Sequence, residues 1–216
     1  MTQLRLVRLK HTGTQVRITL SDSDDKLIIS PECVAEFRLK EGIVLTESQA
    51  NRLRAESDLY LCDQTALRLL AIREHTVGQL RTKLKRRRFD SNSIAEIIRK
   101  YRRSGLLDDE RLSLMLAQRQ LERRPCGRRV LIAYLRKRMI DRELAERAAD
   151  QVMSGEDDVE LAAAALRRRI DRMREFDLET ARRKAYTYLS RCGFGYQTAR
   201  SAFDALSEDW KEESSN

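Results

Sequence analysis

Leu84-Lys-Arg-Arg-Arg-Phe89, Leu135-Arg-Lys-Arg-Met-Ile140 and Leu189-Ser-Arg-Cys-Gly-Phe194 recur at separations of 51 and 54 residues. Each string reads as the end of a helix followed by a large apolar anchor. Counted from the anchor, offsets of 5, 8, 9 and 12 give Ile94, Ile97, Ile98 and Tyr101 in the first copy. The same offsets give Ala145, Ala148, Ala149 and Val152 in the second copy, and Ala199, Ala202, Phe203 and Leu206 in the third. This is the i, i+3, i+4, i+7 spacing of one buried helix stripe. Its agreement across three copies identifies a tandem repeat.

A further apolar helix precedes each string, in Ala66 to Ile72, Leu112 to Ala117 and Leu161 to Ile170, so the unit holds three helices. N-caps are offered by Asp63, Thr76, Asp108, Asp141 and Asp177, with Gln79 placed to complete a capping box at Thr76. A unit of this size buries too little surface alone, so neighbouring units must pack end to end. The predicted fold is mainly α: an elongated, curved array of three tandem three-helix repeats. They occupy residues 61–105, 106–154 and 155–207, with 208–216 as a flexible tail.

Upstream of the repeats the pattern changes. Leu4, Leu6 and Leu9, then Val16, Ile18 and Leu20, then Leu27 to Ile29 alternate as strands, with turns at Gly13 and Asp22 to Asp25. Ser30-Pro31 reads as an N-cap followed by proline in the first helical position, and Thr46-Glu47-Ser48-Gln49 fits a capping box. Residues 1–60 are therefore expected to form a small β-hairpin module with two short helices, ending near Tyr60.

Composition agrees: 36% of the residues are charged, while glycine numbers 8 and proline 2, so few positions break a helix and many solvate one. No apolar run approaches the roughly 20 residues needed to cross a bilayer, and no signal-peptide core is evident. A cytoplasmic protein without a membrane partner is expected. Cys33, Cys62, Cys126 and Cys192 show no C-x-x-C spacing and have only His11 and His75 as companions, so reduced thiols packed as small hydrophobes are expected.

Little catalytic chemistry is signalled. No G-x-x-x-x-G-K, H-E-x-x-H or G-x-S-x-G string occurs, and neither an enzyme nor a cofactor or metal site is expected. Glu74-His75-Thr76 lies at a helix junction, where His75 is expected at the surface or in a cap. Asp108-Asp109-Glu110 precedes a helix, where acids favour the positive helix end.

The basic runs carry more information. Net charge is 0 over residues 1–60, +11 over 61–154 and −2 over 155–216. The first copy presents Lys83, Lys85, Arg86, Arg87 and Arg88, then Arg99, Lys100, Arg102 and Arg103, with few acids nearby. The second presents Arg123, Arg124, Arg128, Arg129, Arg136, Lys137 and Arg138. In the third copy Arg172 and Glu175 are spaced for an i, i+3 pair, the mark of a solvated face. The first two groups are the candidate partner-binding stripe, and their arginine bias suits bidentate contact with phosphate or carboxylate. Phe89, Tyr101 and Tyr134 are better placed as core than as a base-stacking platform.

The stretches Thr76-Val-Gly-Gln-Leu-Arg-Thr-Lys-Leu-Lys-Arg-Arg-Arg-Phe89, Ser104-Gly-Leu-Leu-Asp-Asp-Glu-Arg-Leu112 and Gly127-Arg-Arg-Val-Leu-Ile-Ala-Tyr-Leu-Arg-Lys-Arg-Met-Ile140 resemble the RecX family of bacterial recombination regulators. The family pattern carries glycine before the anchor; this chain has Arg88 and Met139 there and keeps only Gly193, so those turns either avoid a left-handed residue or absorb strain. It also often has an aromatic where Leu112 stands.

The resemblance implies a monomeric, chiefly negative regulator in homologous recombination, DNA repair and the SOS response. Its partner would be the RecA filament on single-stranded DNA, in whose helical groove it would lie. It would restrain ATP hydrolysis, strand exchange and LexA cleavage. The alternative is a helical repeat protein that binds nucleic acid directly, single-stranded or duplex, through its basic stripe.

Overall fold

Alternating apolar residues at the start of the chain build a sheet against which the neighbouring helices pack. In the computed structural model, which describes residues 4–21 and 26–213 with side chains as far as Ser207, the first elements are β1 (Leu4–Thr12), β2 (Gln15–Leu20), β3 (Lys26–Ile29), α1 (Pro31–Glu36) and β4 (Val44–Leu45). The strands pair antiparallel in the order β3-β2-β1-β4. Leu4, Leu6, Val16, Ile18, Leu20 and Ile29 line the buried face. Gly13 makes the first turn at φ +60. The expected turn at Asp22 to Asp25 lies outside the described residues.

Side chains reach both open sides of the sheet. The Ile28 N–H of β3 donates to Ser57 Oγ at 2.9 Å, and the Leu9 N–H of β1 donates to Glu41 Oε1 at 2.8 Å. Edge groups left open are templates for unwanted pairing, and these two local side chains reduce that hazard. Ser30 caps α1, with Pro31 in its first turn.

The expected pair of short helices and the boundary near Tyr60 are corrected by α2 (Glu47–Ile72), one helix of 26 residues that runs straight through that point. Thr46 and Gln49 form the capping box that starts it. Its buried residues fall into two sets. Ala50, Leu53 and Ser57 face the sheet, while Cys62, Ala66 and Leu69 face the helices that follow. At about 100° per residue the two stripes differ by roughly 150° around the helix, so no single amphipathic face runs its whole length. Asp63, expected as a cap, sits inside this helix. Its carboxylate instead accepts from the Tyr101 hydroxyl at 2.7 Å and from Lys100 at 2.8 Å.

Three sets of three helices follow. The first uses the second half of α2 with α3 (Val77–Arg86) and α4 (Ser91–Arg103). The second is α5 (Asp109–Arg123), α6 (Arg128–Lys137) and α7 (Arg142–Met153). The third is α8 (Asp158–Met173), α9 (Leu178–Arg191) and α10 (Tyr196–Glu213). Helix α10 continues through 208–213, where a flexible tail is expected from sequence; residues 214–216 lie outside the described ones. Of the twelve stripe positions, ten are buried, and Val152 and Leu206 are partly buried against the same cores. Thr76, Asp108, Asp141 and Asp177 each accept a backbone N–H as N-caps, worth about 1 kcal/mol apiece. The chain forms two compact units, residues 1–107 and 108–216.

The turn before each anchor answers the question that its sequence poses. Arg88 and Met139 adopt φ +63 and +61, and Gly193 adopts φ +91. All three turns therefore use the left-handed residue, and two of them carry a side chain there, at a cost of roughly 1 kcal/mol each. The turn gains hydrogen bonds in return. Met139 N–H donates to Arg136 O at 2.8 Å and Ile140 N–H to Leu135 O at 3.4 Å, while Gly193 N–H donates to Ser190 O and Phe194 N–H to Leu189 O at 3.0 and 3.1 Å. These bonds close the last helical carbonyls.

Within the second unit, repeats two and three meet backbone to backbone. The Gly127 N–H donates to Cys192 O at 2.9 Å. A Cβ on Gly127 would lie 2.3 Å from Gly193 O, and one on Gly193 would lie 2.8 Å from a Val130 methyl. The Arg168 guanidinium of α8 donates to the Glu122 and Arg123 carbonyls at the end of α5. Met153 packs against both cores. The side chains of one repeat thus finish the helix ends and core of the next, as a marginal unit requires.

Candidate functional site

The two expected basic groups belong to different compact units. In the first unit the cations stand at opposite ends of α4, since Lys85 to Arg88 lie just before its N-cap Asp90 and Arg99 to Arg103 form its last turn. At about 1.5 Å per residue, those ends are roughly 16 Å apart.

Lys85, Arg86 and Arg88 are exposed with no carboxylate within ion-pair distance among the described residues, and Arg87 only leans back onto Lys83 O at 3.5 Å. Lys83 is different. Its ammonium lies 2.7 Å from His75 Nε2, and His75 Nδ1 faces Arg73 O at 2.8 Å. His75 is therefore neutral, donating from Nδ1 and accepting at Nε2. It is 2% exposed, which corrects the expectation of a surface or capping histidine: its ring closes the junction between α2 and α3. Burial holds the His75 pKa below its ordinary value, and burial followed by the Arg73 and Arg87 charges lowers that of Lys83. Lys83 thus has one donor engaged within its own repeat.

The α4 group is also less free than its sequence implies. Lys100 is paired with Asp63 and lies 5.6 Å from the Tyr101 ring centre. Arg99, Lys100 and Arg103 share a groove of about 530 Å³ with Glu32, Glu56 and Glu96. Glu32 and Glu56, distant in sequence, thus join the nearby Glu96 beside these cations. Arg102 remains exposed, with no carboxylate partner among the described residues.

In the second unit Arg128 makes a two-pronged pair with Asp150, the second contact at 2.9 Å, and Arg138 lies over the Tyr134 ring at 4.7 Å. Arg129, Arg136 and Lys137 are exposed on α6, while Arg123 and Arg124 end α5. These five have no carboxylate partner among the described residues.

Residues 165–200 carry a net charge of +6, hidden in the segment value of −2 by acids clustered on either side. The expected Arg172–Glu175 pair does not form among the described residues; pairs that do form include Arg167–Glu160 and Arg200–Asp204. Helix α9 exposes Arg182, Arg183, Lys184 and Arg191 between Tyr186, Tyr188 and Tyr196. The sequence signal for this face is the string Arg182-Arg-Lys-Ala-Tyr-Thr-Tyr188, which averaging over the whole copy erases.

Among the described residues no cluster of His, Cys, Asp and Glu is arranged to hold a metal ion, and no helix is long and apolar enough to cross a membrane. The four cysteines are free, and burial pushes the thiols of Cys33, Cys62 and Cys126 up to about 11, away from reactivity. What the exposed cations do offer is contact with an extended anion.

Fold and surface together define a tandem three-helix-repeat protein with exposed basic faces. Residues 64–100 match the family description "RecX, first three-helix domain". The chain is 30% identical over 141 residues to "Regulatory protein RecX" of Pelodictyon phaeoclathratiforme, covering 65% of this chain and 86% of the relative. It is 31% identical over 135 residues to "Regulatory protein RecX" of Chlorobaculum tepidum, covering 62% and 81%. A crystal structure of regulatory protein RecX shares the fold with a TM-score of 0.72 at 18% identity, over 93% of this chain and 99% of that one. RecX from Lactobacillus salivarius does so at 0.60 and 20%, over 69% and 97%. The chain belongs to the RecX family.

Proposed function

We propose that this protein regulates RecA, chiefly negatively, by lying along the groove of the RecA filament on single-stranded DNA. There it restrains ATP hydrolysis, strand exchange and LexA cleavage. The observation that carries the reading is the group of exposed cations on the first two repeats that have no carboxylate partner among the described residues, among them Lys85, Arg86, Arg88 and Arg102 in one unit and Arg123, Arg124, Arg129, Arg136 and Lys137 in the other. A protein that spans several protomers opposes filament transitions by summing small contacts, and exposed arginines meet either DNA phosphate or acidic protein surface. The test is RecA ATPase on single-stranded DNA. Substoichiometric protein is expected to suppress turnover, and charge reversal of Arg86, Arg87 and Arg88 to weaken suppression with helix content unchanged. ATPase unaffected by the protein at any ratio sinks the proposal.

The same cations support the second reading, a direct nucleic-acid-binding protein. It predicts affinity for bare DNA that falls steeply with salt, and salt-insensitive binding counts against it.

A further inference from the structure

We infer that the groove between α9 and α10 in the third repeat is a binding site for single-stranded nucleic acid, with Tyr196 as a base-stacking ring and Arg182, Arg183 and Arg191 as phosphate contacts. The groove has a volume of about 920 Å³. Arg183, Thr187 and Arg191 follow one another at i, i+4 along the crest of α9, which sets the two arginines roughly 12 Å apart on one line. Arg182, Tyr186 and Ser190 form the adjacent ridge, so hydroxyls alternate with guanidinium groups along the wall. None of the three arginines has a carboxylate within ion-pair distance among the described residues, and Glu179 is the one acid in the lining.

The aromatic component separates nucleic acid from an acidic peptide. Tyr196 is 64% exposed. It is held edge-on against Tyr186, centroids 5.3 Å apart at 79°, and Tyr186 is braced likewise by buried Phe203 at 6.1 Å and 84°. One ring is thus fixed by a second while most of its surface stays open, an arrangement that an acidic peptide has no use for and a base does. The neighbouring groove on the other side of α9 lacks this property. There Lys184 already covers Phe176 at 3.0 Å and Arg169 covers Tyr188 at 4.6 Å, leaving those ring faces occupied.

The site is independent of the RecA reading, so its test omits RecA. Full-length protein is titrated into a fluorescent thymidine oligonucleotide, and a 5-iodouracil version is photocrosslinked and the adduct mapped. The expected results are a crosslink at Tyr196, a loss of about ten-fold in affinity for Tyr196→Leu, and near wild-type binding for Tyr196→Phe. Arg183→Glu with Arg191→Glu should weaken binding further and flatten its salt dependence. Circular dichroism confirms that each variant keeps its helix content. Wild-type affinity in Tyr196→Leu with crosslinks confined to residues 83–138 overturns the proposal, as does a poly-glutamate peptide binding this groove as tightly as the oligonucleotide.

Discussion

Gly127→Ala tests whether repeats two and three share a backbone contact, because two effects of opposite sign compete there. Gly127 has φ −74 and ψ 163, a conformation alanine adopts freely, so the loss of unfolded-state entropy alone predicts stabilisation of about 0.4–1 kcal/mol. The added Cβ, however, meets Gly193 O at 2.3 Å, the Gly193 carbonyl carbon at 2.7 Å and Phe194 N at 3.2 Å. All three are backbone atoms with no rotamer to escape into. Ordinary contact near 3.5 Å requires the chains to part by about 1 Å. Parting stretches the 2.9 Å bond from Gly127 N–H to Cys192 O, worth about 1 kcal/mol, and overpacking adds about 1–3 kcal/mol. The steric effect wins, for a net destabilisation of about 2 kcal/mol. In urea unfolding followed by far-ultraviolet circular dichroism, a slope near 2 kcal/mol/M lowers the midpoint by about 1 M. Gly155→Ala, with nothing within 4 Å, is the control and should stay within about 0.5 kcal/mol of wild type. A Gly127→Ala midpoint at or above wild type would refute the close approach of the two turns.

Met139→Gly relieves a left-handed side chain at φ +61 and should stabilise the second unit by about 0.5–1 kcal/mol; an unchanged or lower melting temperature argues against strain there. Tyr101→Phe removes the 2.7 Å bond to Asp63 and should cost about 1–2 kcal/mol, read by denaturant unfolding, with no cost expected if the hydroxyl is not engaged. Burial, then the bond to Asp63, raises the Tyr101 pKa. That contribution is complete below the unfolded value of about 10 and is lost above it, so wild type should lose stability in alkali faster than the phenylalanine variant. His75 has the opposite sign. Its pKa is lowered by burial, so its contribution is complete above the unfolded value of about 6.5 and is lost as pH falls. His75→Gln should flatten stability between about pH 6.5 and 5, and parallel curves for the two proteins would contradict the buried neutral ring.

The repeats are legible in the sequence because their register is written in volume and spacing. Leu84, Leu135 and Leu189 are fully buried at equivalent places, and a period of 3.6 survives wherever one helix uses one face. Helix α2 hides from the same periodicity because it uses two faces in succession, and Asp63, which resembles a cap by sequence, is claimed by Lys100 and Tyr101 from 37 and 38 residues away. Charge is less legible than packing. Runs of like charge are local, but neutralisation is spatial, so Glu32 and Glu56 share a groove with Arg99 and Lys100 without any sequence sign. Segment averaging makes the complementary error in the third repeat, where the acids at 156–160 and beyond 203 cancel in the sum the cations of the run Arg182-Arg-Lys184. The burial of His75 escapes a sequence reading because it depends on a lysine eight residues on turning back toward the ring.

The continuity of α2 makes the strand module and the first repeat one cooperative folding unit. Amides on either side of residue 60 should share a single opening free energy in hydrogen exchange, with none of the step that a hinge would introduce. Truncation before residue 61 would leave Cys62, Ala66 and Leu69 on a helical remnant of about three turns, shorter than helices that persist unaided. Exchange of parts between relatives is constrained in the same way, because a crossover at the apparent composition boundary would cut a rod. The workable seam lies after Leu107, where the helix pairs are complete on both sides.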